Sequence, residues 1–304
     1  MSMVLAFITD SPSAARVASA TLLMGRALGM RARFVHYGAE GSAGTARVRA
    51  VIDSADASVG RRDVADDEGA SPVLDVRAVE PRTDRAIHAC IAELKPTLVV
   101  IGAVQRERTL RDVFGSTARR VAQRSPCSVL LVSTRGREPG AWSRLLMGVE
   151  DGPHGRSLGG WMLHLARACG ERSTLCLAHE RKELARGGEE ALNPPGVVRL
   201  DVGLDSGQLY GMAAERHQLA DFAESLETQG VRIEAVTLPG RPGQEIARYA
   251  EDTRADVLGL VAPARPLGLL SRLLSHPVLL VLEHLPCAVL LYRPAASTES
   301  GVAS

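Results

Sequence analysis

The chain repeats itself. Asp10 and Gly29 recur as Asp151 and Gly170, an offset of 141, and Ile87 and Gly102 align with Ile246 and Val261, an offset of 159. Pro126-Cys127 returns as Pro286-Cys287, an offset of 160. Two stable offsets separated by a step of 18 residues mark an internal duplication with one insertion in the second copy. With 304 residues in all, each copy has about 150, the size of one domain.

Within each copy, short apolar runs alternate with amphipathic stretches. In the first, runs at 3–9, 32–37, 73–79, 97–101 and 128–132 are separated by helical patterns, such as Val17, Thr21, Met24 and Leu28 on one face and Ile87, Ile91 and Leu94 on another. In the second, the runs fall at 144–149, 174–178, 231–238, 257–261 and 288–292. Strand and helix in strict alternation predict an α/β fold. We expect two tandem Rossmann-like domains, each a five-stranded parallel sheet of order 3-2-1-4-5 with helices on both faces. The expected bounds are 1–133 and 144–294, with a linker over Ser133 to Trp142 and a long polar insertion at 181–211.

One stretch carries more than a fold. Residues 98–132 read LVVIGAVQRERTLRDVFGSTARRVAQRSPCSVLLV. An apolar strand ends on Gly102, an arginine-rich loop follows, Gly115-Ser116-Thr117 opens a helix, Pro126 stops it, and a second apolar strand closes the unit. Glycine permits close backbone approach, and the free N–H groups of a helix start attract anions. The spacing of Gly102, position 105 and Gly115-Ser116 resembles the G-x2-G-x9-G-[S/T] loop of the universal stress protein family. Ser125-Pro126-Cys127-Ser128 with the run that follows is similar to that family's closing strand. Position 105 is Gln105 where the family has glycine, which brings a side chain into the loop.

The resemblance implies a stress-response protein of the cytoplasm that binds ATP, AMP or a related adenine nucleotide in its first domain. Action is then by conformation or contact with a protein partner. The ligand of a doubly wound sheet lies outside the carboxyl ends of the strands, where strand order reverses. Asp10 at the end of the first strand is placed to accept from the adenine amino group. Gly102, Gln105, Gly115, Ser116 and Thr117 are placed to hold ribose and phosphates, and matching to the family adds Tyr37 as a base-packing position. The bland alternative makes Asp10 a helix cap and the glycines simple turns.

The second copy has lost this pattern. Val261 stands in place of Gly102, Pro263 removes a donor, and the helix start reads Leu274-Ser275-His276-Pro277. No nucleotide is expected there. His36 and His179 close equivalent strands and have no second ligand at metal spacing, and Cys127 and Cys287 precede equivalent apolar strands. Five scattered cysteines without a C-x-x-C pair, and an N-terminal run without the features of a leader, point to reduced thiols in a cytosol.

Net charge of +1 and an aromatic content of 3% argue against nucleic acid as a partner. No run of about 18 apolar residues argues for a membrane span. Two rivals stand beside nucleotide binding: a scaffold with both sites degenerate, and a hydrolase of the adenine-nucleotide α-hydrolase group. The hydrolase would need an S-G-G-x-D-S loop where Thr9-Asp10-Ser11-Pro12 stands. No catalytic base presents itself. Finally, the runs 128–132 and 288–292 would each be an apolar sheet edge without charge or proline. They are expected to pair antiparallel as an intramolecular pseudo-dimer, with further association into a homo-oligomer left open.

Overall fold

The computed structural model describes residues 2–59, 71–78, 83–103, 105–106, 113–114, 116–182, 198–201, 213–226, 230–263 and 277–294. The first half runs β1 (Met3–Phe7), α1 (Ala14–Ala27), β2 (Arg31–Tyr37), α2 (Ala43–Ser58), β3 (Val73–Arg77), α3 (Thr83–Leu94) and β4 (Leu98–Ala103). A two-stranded hairpin of β5 (Gln105–Arg106) and β6 (Val113–Phe114) follows, then α4 (Ser116–Arg124) and β7 (Ser128–Ser133). The second half runs β8 (Arg144–Gly148), α5 (Pro153–Cys169), β9 (Thr174–Lys182), β10 (Val198–Asp201), α6 (Ala213–Glu224), β11 (Arg232–Gly240), α7 (Gln244–Asp252), β12 (Val257–Val261), α8 (Pro277–His284) and β13 (Ala288–Tyr292).

The α/β class is as the alternation requires. Eleven strands form a single sheet in the order β10-β11-β9-β8-β12-β13-β7-β4-β1-β2-β3. Within each half the neighbours are parallel, except β10 and β11, and the central strands, covered on both faces, read as almost unbroken apolar runs. At the seam β13 runs antiparallel to β7, pairing Val289 with Leu131, Leu290 with Leu130 and Leu291 with Val129. One face of the sheet is closed by α1, α2, α5 and α6, with Val4, Phe34, Leu130, Leu145, Met147 and Leu290 beneath them. The other is closed by α3, α4, α7 and α8 over Leu5, Val35, Val99, Val129, Leu258 and Val289.

One expectation changes. The region 181–211 is not wholly an insertion outside the sheet. Residues 181–182 extend β9, and β10 adds antiparallel to β11, so the second half has six strands rather than five parallel ones. The alternation Val198-Arg199-Leu200-Asp201 suits a half-covered edge, which is what β11 otherwise presents.

The halves share backbone detail beyond the strands. Lys95 after α3 and Arg254 after α7, repeat equivalents 159 apart, both adopt positive φ, at 46° and 53°. A left-handed residue closes each of these helices even where it is not glycine.

The connection between the halves is held from both sides. Arg16 on α1 donates from Nε to Ser133 O at 3.0 Å, from Nη2 to Arg137 O at 2.7 Å, and from Nη1 to Glu138 Oε1 at 2.7 Å. Arg137 reaches the other way, donating to both carboxylate oxygens of Asp256 at 2.9 and 2.6 Å. Asp256 is 3% exposed and also accepts from the N–H groups of Ser143 and Arg144, each at 2.8 Å.

Candidate functional site

In the first half β1 lies between β2 and β4, so strand order reverses at the carboxyl ends of β1 and β4. What gathers there is a line of hydroxyl groups. Thr9 Oγ1 donates to Ser11 Oγ at 3.2 Å, and Ser11 Oγ lies 3.2 Å from Ser13 Oγ. Ser13 is buried at the start of α1 and faces Gly102. A Cβ on Gly102 would come within 3.2 Å of both Ser13 Oγ and Val17 Cγ2. Glycine at 102 therefore lets β4 approach the first turn of α1.

Asp10 sits at the rim of the same corner, but its carboxylate is engaged. Arg47 on α2 donates from Nε to Oδ1 at 3.2 Å and to Oδ2 at 3.0 Å, with Nη2 also on Oδ2. Hydrogen bonding from Arg47 holds the Asp10 carboxyl below its ordinary value. Asp10 does not cap α1: the N-cap position is Ser13, whose side chain makes no cap bond.

Tyr37 ends β2 on the opposite face of the sheet. Its ring stacks on Phe7 with centroids 6.5 Å apart and planes 6° from parallel, and it packs against the core under α3. Of the loop residues, Gln105 lies in β5, Ser116 opens α4 and Thr117 is half-buried in its first turn. Gly115 lies outside the described residues. His36 is structural: its Nδ1 pairs with Ile8 O at 3.0 Å, and its Nε2 would be 2.5 Å from any Cβ at Gly38. Among the described residues no group of three or more His, Cys, Asp or Glu is placed to hold a metal ion.

The corresponding corner of the second half is built differently. Repeat positions of Thr9, Ser11 and Ser13 are Glu150, Gly152 and His154, so the hydroxyl line is gone. Val261, in the place of Gly102, packs on the core with Trp161 and Tyr292. Those two rings meet edge to face, 5.1 Å between centroids, where the first half has Ala20 and Val132. A second anion-attracting group is also taken up. Glu180 accepts from Gly243 N at 2.8 Å and Ile246 N at 3.0 Å, so its carboxylate occupies the N-terminus of α7. Burial raises the Glu180 carboxyl above its ordinary value, against the lowering effect of those two N–H groups.

Sequence reasoning had no handle on Arg47, Arg16 or Glu180, which act across elements distant in the chain. The hydroxyls of Thr9, Ser11 and Ser13 were open to view, since three of the five residues that follow Ile8 carry them.

Doubly wound halves with a polar corner at the strand-order reversal define a Rossmann-like α/β protein. Residues 2–133 match the model of the universal stress protein family. Solved structures agree over nearly the whole length. A universal stress protein from Archaeoglobus fulgidus DSM 4304 superposes with a TM-score of 0.61 at 10% identity, covering 95% of this chain and 98% of its own. A functionally unknown protein from Pseudomonas aeruginosa PAO1 gives 0.55 at 14% identity, covering 96% and 92%. The cytoplasmic domain of a prokaryotic cation chloride cotransporter gives 0.51 at 11% identity, covering 97% and 96%. At these identities the likeness is one of fold. No curated protein matches the chain in sequence. Among the described residues no helix is long and apolar enough to cross a membrane.

Proposed function

We propose that the first half binds ATP or a related adenine nucleotide at the carboxyl ends of β1 and β4, and that the protein acts in the cytoplasm by conformation and partner contact rather than by turnover. The observation that carries this reading is the hydroxyl line of Thr9, Ser11 and Ser13 beside Gly102 at the strand-order reversal. These hydroxyls suit ribose and phosphate oxygens, and the start of α4 at Ser116 supplies unpaired N–H groups for an anion. Asp10 would serve as acceptor for the adenine amino group after sharing or releasing Arg47. A carboxylate has about four acceptor sites, so sharing is chemically open. The second half is read as taking no nucleotide, since Val261 replaces Gly102 and packs on the core as do Trp161 and Tyr292.

Mass spectrometry of small molecules released from the denatured protein, with calorimetry of ATP and AMP on the purified chain, tests the reading. Binding that is lost in Ser13→Val and kept in Ser275→Val supports it. Absence of any bound or bindable adenine nucleotide refutes it. The engaged state of Asp10 favours one rival, a scaffold without ligand. Under that rival Arg47→Ala leaves ATP binding undetectable. Under the nucleotide reading it frees the carboxylate and tightens binding.

A further inference from the structure

The second half has lost the nucleotide pattern, yet two of its elements reach the segment of the first half that would grip phosphate. The first is Arg293, the residue after β13. It is 6% exposed, and among the described residues none of its hydrogen-bond partners is a carboxylate. Its Nη2 donates to Ala122 O at 2.6 Å and its Nη1 to Cys127 O at 3.4 Å. Its own N–H donates to Ser128 Oγ at 3.0 Å.

The partner carbonyl explains the need. Ala122 lies in the last turn of α4, and its carbonyl would ordinarily accept from the N–H four residues on. That residue is Pro126, which has no N–H. The carbonyl is left at the negative end of a helix dipole, in a buried place, where an unpaired acceptor is costly. The guanidinium from the other half supplies both the donor and the charge. The repeat equivalent of Arg293 is Ser133, so this is not a feature that the two halves share.

The second element is α8. It comes within 8 Å, Cα to Cα, of β6, the short strand immediately before Gly115-Ser116. The second half therefore lies beside β6, just before α4 in the chain, and holds the far end of the nine-residue α4. A helix of that length is about 14 Å long, and it moves as a rigid rod. Fixing its C-terminus fixes where its N-terminal N–H groups point.

We propose that Arg293 is a positioning residue for α4, whose start would bind an anion in the first half, and that holding this helix is what the degenerate second half contributes to ligand binding. The inference rests on the nucleotide reading above for its ligand, though not for its geometry. A supporting group matters here because displacement of a binding constellation by as little as about 1 Å is enough to lose most of its effect.

The test uses the full chain with ATP as the probe, comparing wild type, Arg293→Ala and Arg293→Lys. Calorimetry gives affinity, thermal melting gives stability, and hydrogen exchange of peptides over residues 113–125 gives the order of the turn and α4. Arg293→Ala should weaken ATP by about tenfold or more, a loss of about 1.4 kcal/mol or more. It should raise exchange across 113–125 at temperatures where the variant remains folded. Millimolar guanidinium should restore much of both, because it refills the site left by the side chain. Lysine should rescue in part, since it brings one charge without the fork.

Wild-type affinity in a folded Arg293→Ala, or a loss that neither guanidinium nor lysine relieves, overturns the proposal. If the wild type binds no ATP, the nucleotide reading fails by itself. The exchange data then decide the positioning role alone: unchanged exchange over 113–125 in Arg293→Ala refutes it, and raised exchange reversed by guanidinium upholds it.

Discussion

Leu130 faces Leu290 across the antiparallel seam, and the two are repeat equivalents 160 positions apart. A residue that pairs with its own counterpart marks a local twofold axis. The axis passes between these leucines, both fully buried, and relates the first half of the sheet to the second. It also explains why α1 and α5 lie side by side on one face while α4 and α8 share the other.

The seam predicts what each half does alone. Residues 1–133 without the rest would leave β7 as an apolar edge, with Val129, Leu130 and Leu131 unpaired on the side that β13 now covers. Such an edge recruits another strand. Light scattering on this fragment should show a dimer or larger species, and in the full chain the amides of 129–131 and 289–291 should exchange among the slowest. A monomeric fragment would contradict the importance of the pairing.

Two glycines of α5 should respond in opposite directions to the same change. A Cβ at Gly155 would stand 1.7 Å from Glu150 O, a backbone atom that has no room to yield, whereas a Cβ at Gly160 meets nothing within 4 Å. Gly155→Ala should cost about 3 kcal/mol. Gly160→Ala should gain up to about 1 kcal/mol by restricting the unfolded chain and favouring helix. Urea unfolding of both variants measures the difference.

Asp256 gathers the start of the second half. Removing its carboxylate leaves the N–H groups of Ser143 and Arg144 without their partner and releases Arg137 from the linker side. Asp256→Ala should lower stability by about 3 kcal/mol, dominated by the two stranded N–H groups rather than by the partly exposed arginine. Asparagine should cost less, because its carbonyl oxygen still accepts. Equal stability of wild type and alanine variant in urea would show that these bonds are replaced by water at no cost.

Glu180 predicts a dependence on pH with a definite sign. Burial raises its carboxyl in the folded chain, so over the interval from the ordinary glutamate value up to the raised one the folded state holds more proton than the unfolded. Stability from this group is then full below the ordinary value and falls as pH rises through the interval. Relative to Glu180→Gln, the wild type should lose stability between acid and neutral pH. The slope of the difference in unfolding free energy, measured at several pH values, carries the test, and a positive slope for wild type minus variant would refute it.

The fold was legible because its signals are local. Apolar runs such as 98–101 and 128–132 set the strands, and a glycine at 29 and again at 170 stops equivalent helices. The site was legible only where its parts are adjacent in the chain. Asp10 and Gly102 could be proposed from spacing, but the pairing of Asp10 with Arg47 joins α2 to the end of β1 over 37 positions and leaves no periodic trace. The parity of β2 turns Tyr37 to the α3 face, where Phe7 receives it, a packing that spacing alone does not reveal. The strand β10 was hidden in a segment whose composition reads as polar loop, since four residues of alternation are too few to stand out.

The pairing of Arg293 with Ala122 has a further meaning. In an assembly of two identical chains every substitution appears on both sides of the axis, so an arginine that suits one helix end must also be accommodated at the other. Joined in a single polypeptide, the partners are free to diverge. Arg293 stands where the first half keeps Ser133, and the hydroxyl line beside Gly102 stands where the second half has Glu150, Gly152 and His154. Two halves in one polypeptide can thus take different tasks, which identical subunits cannot.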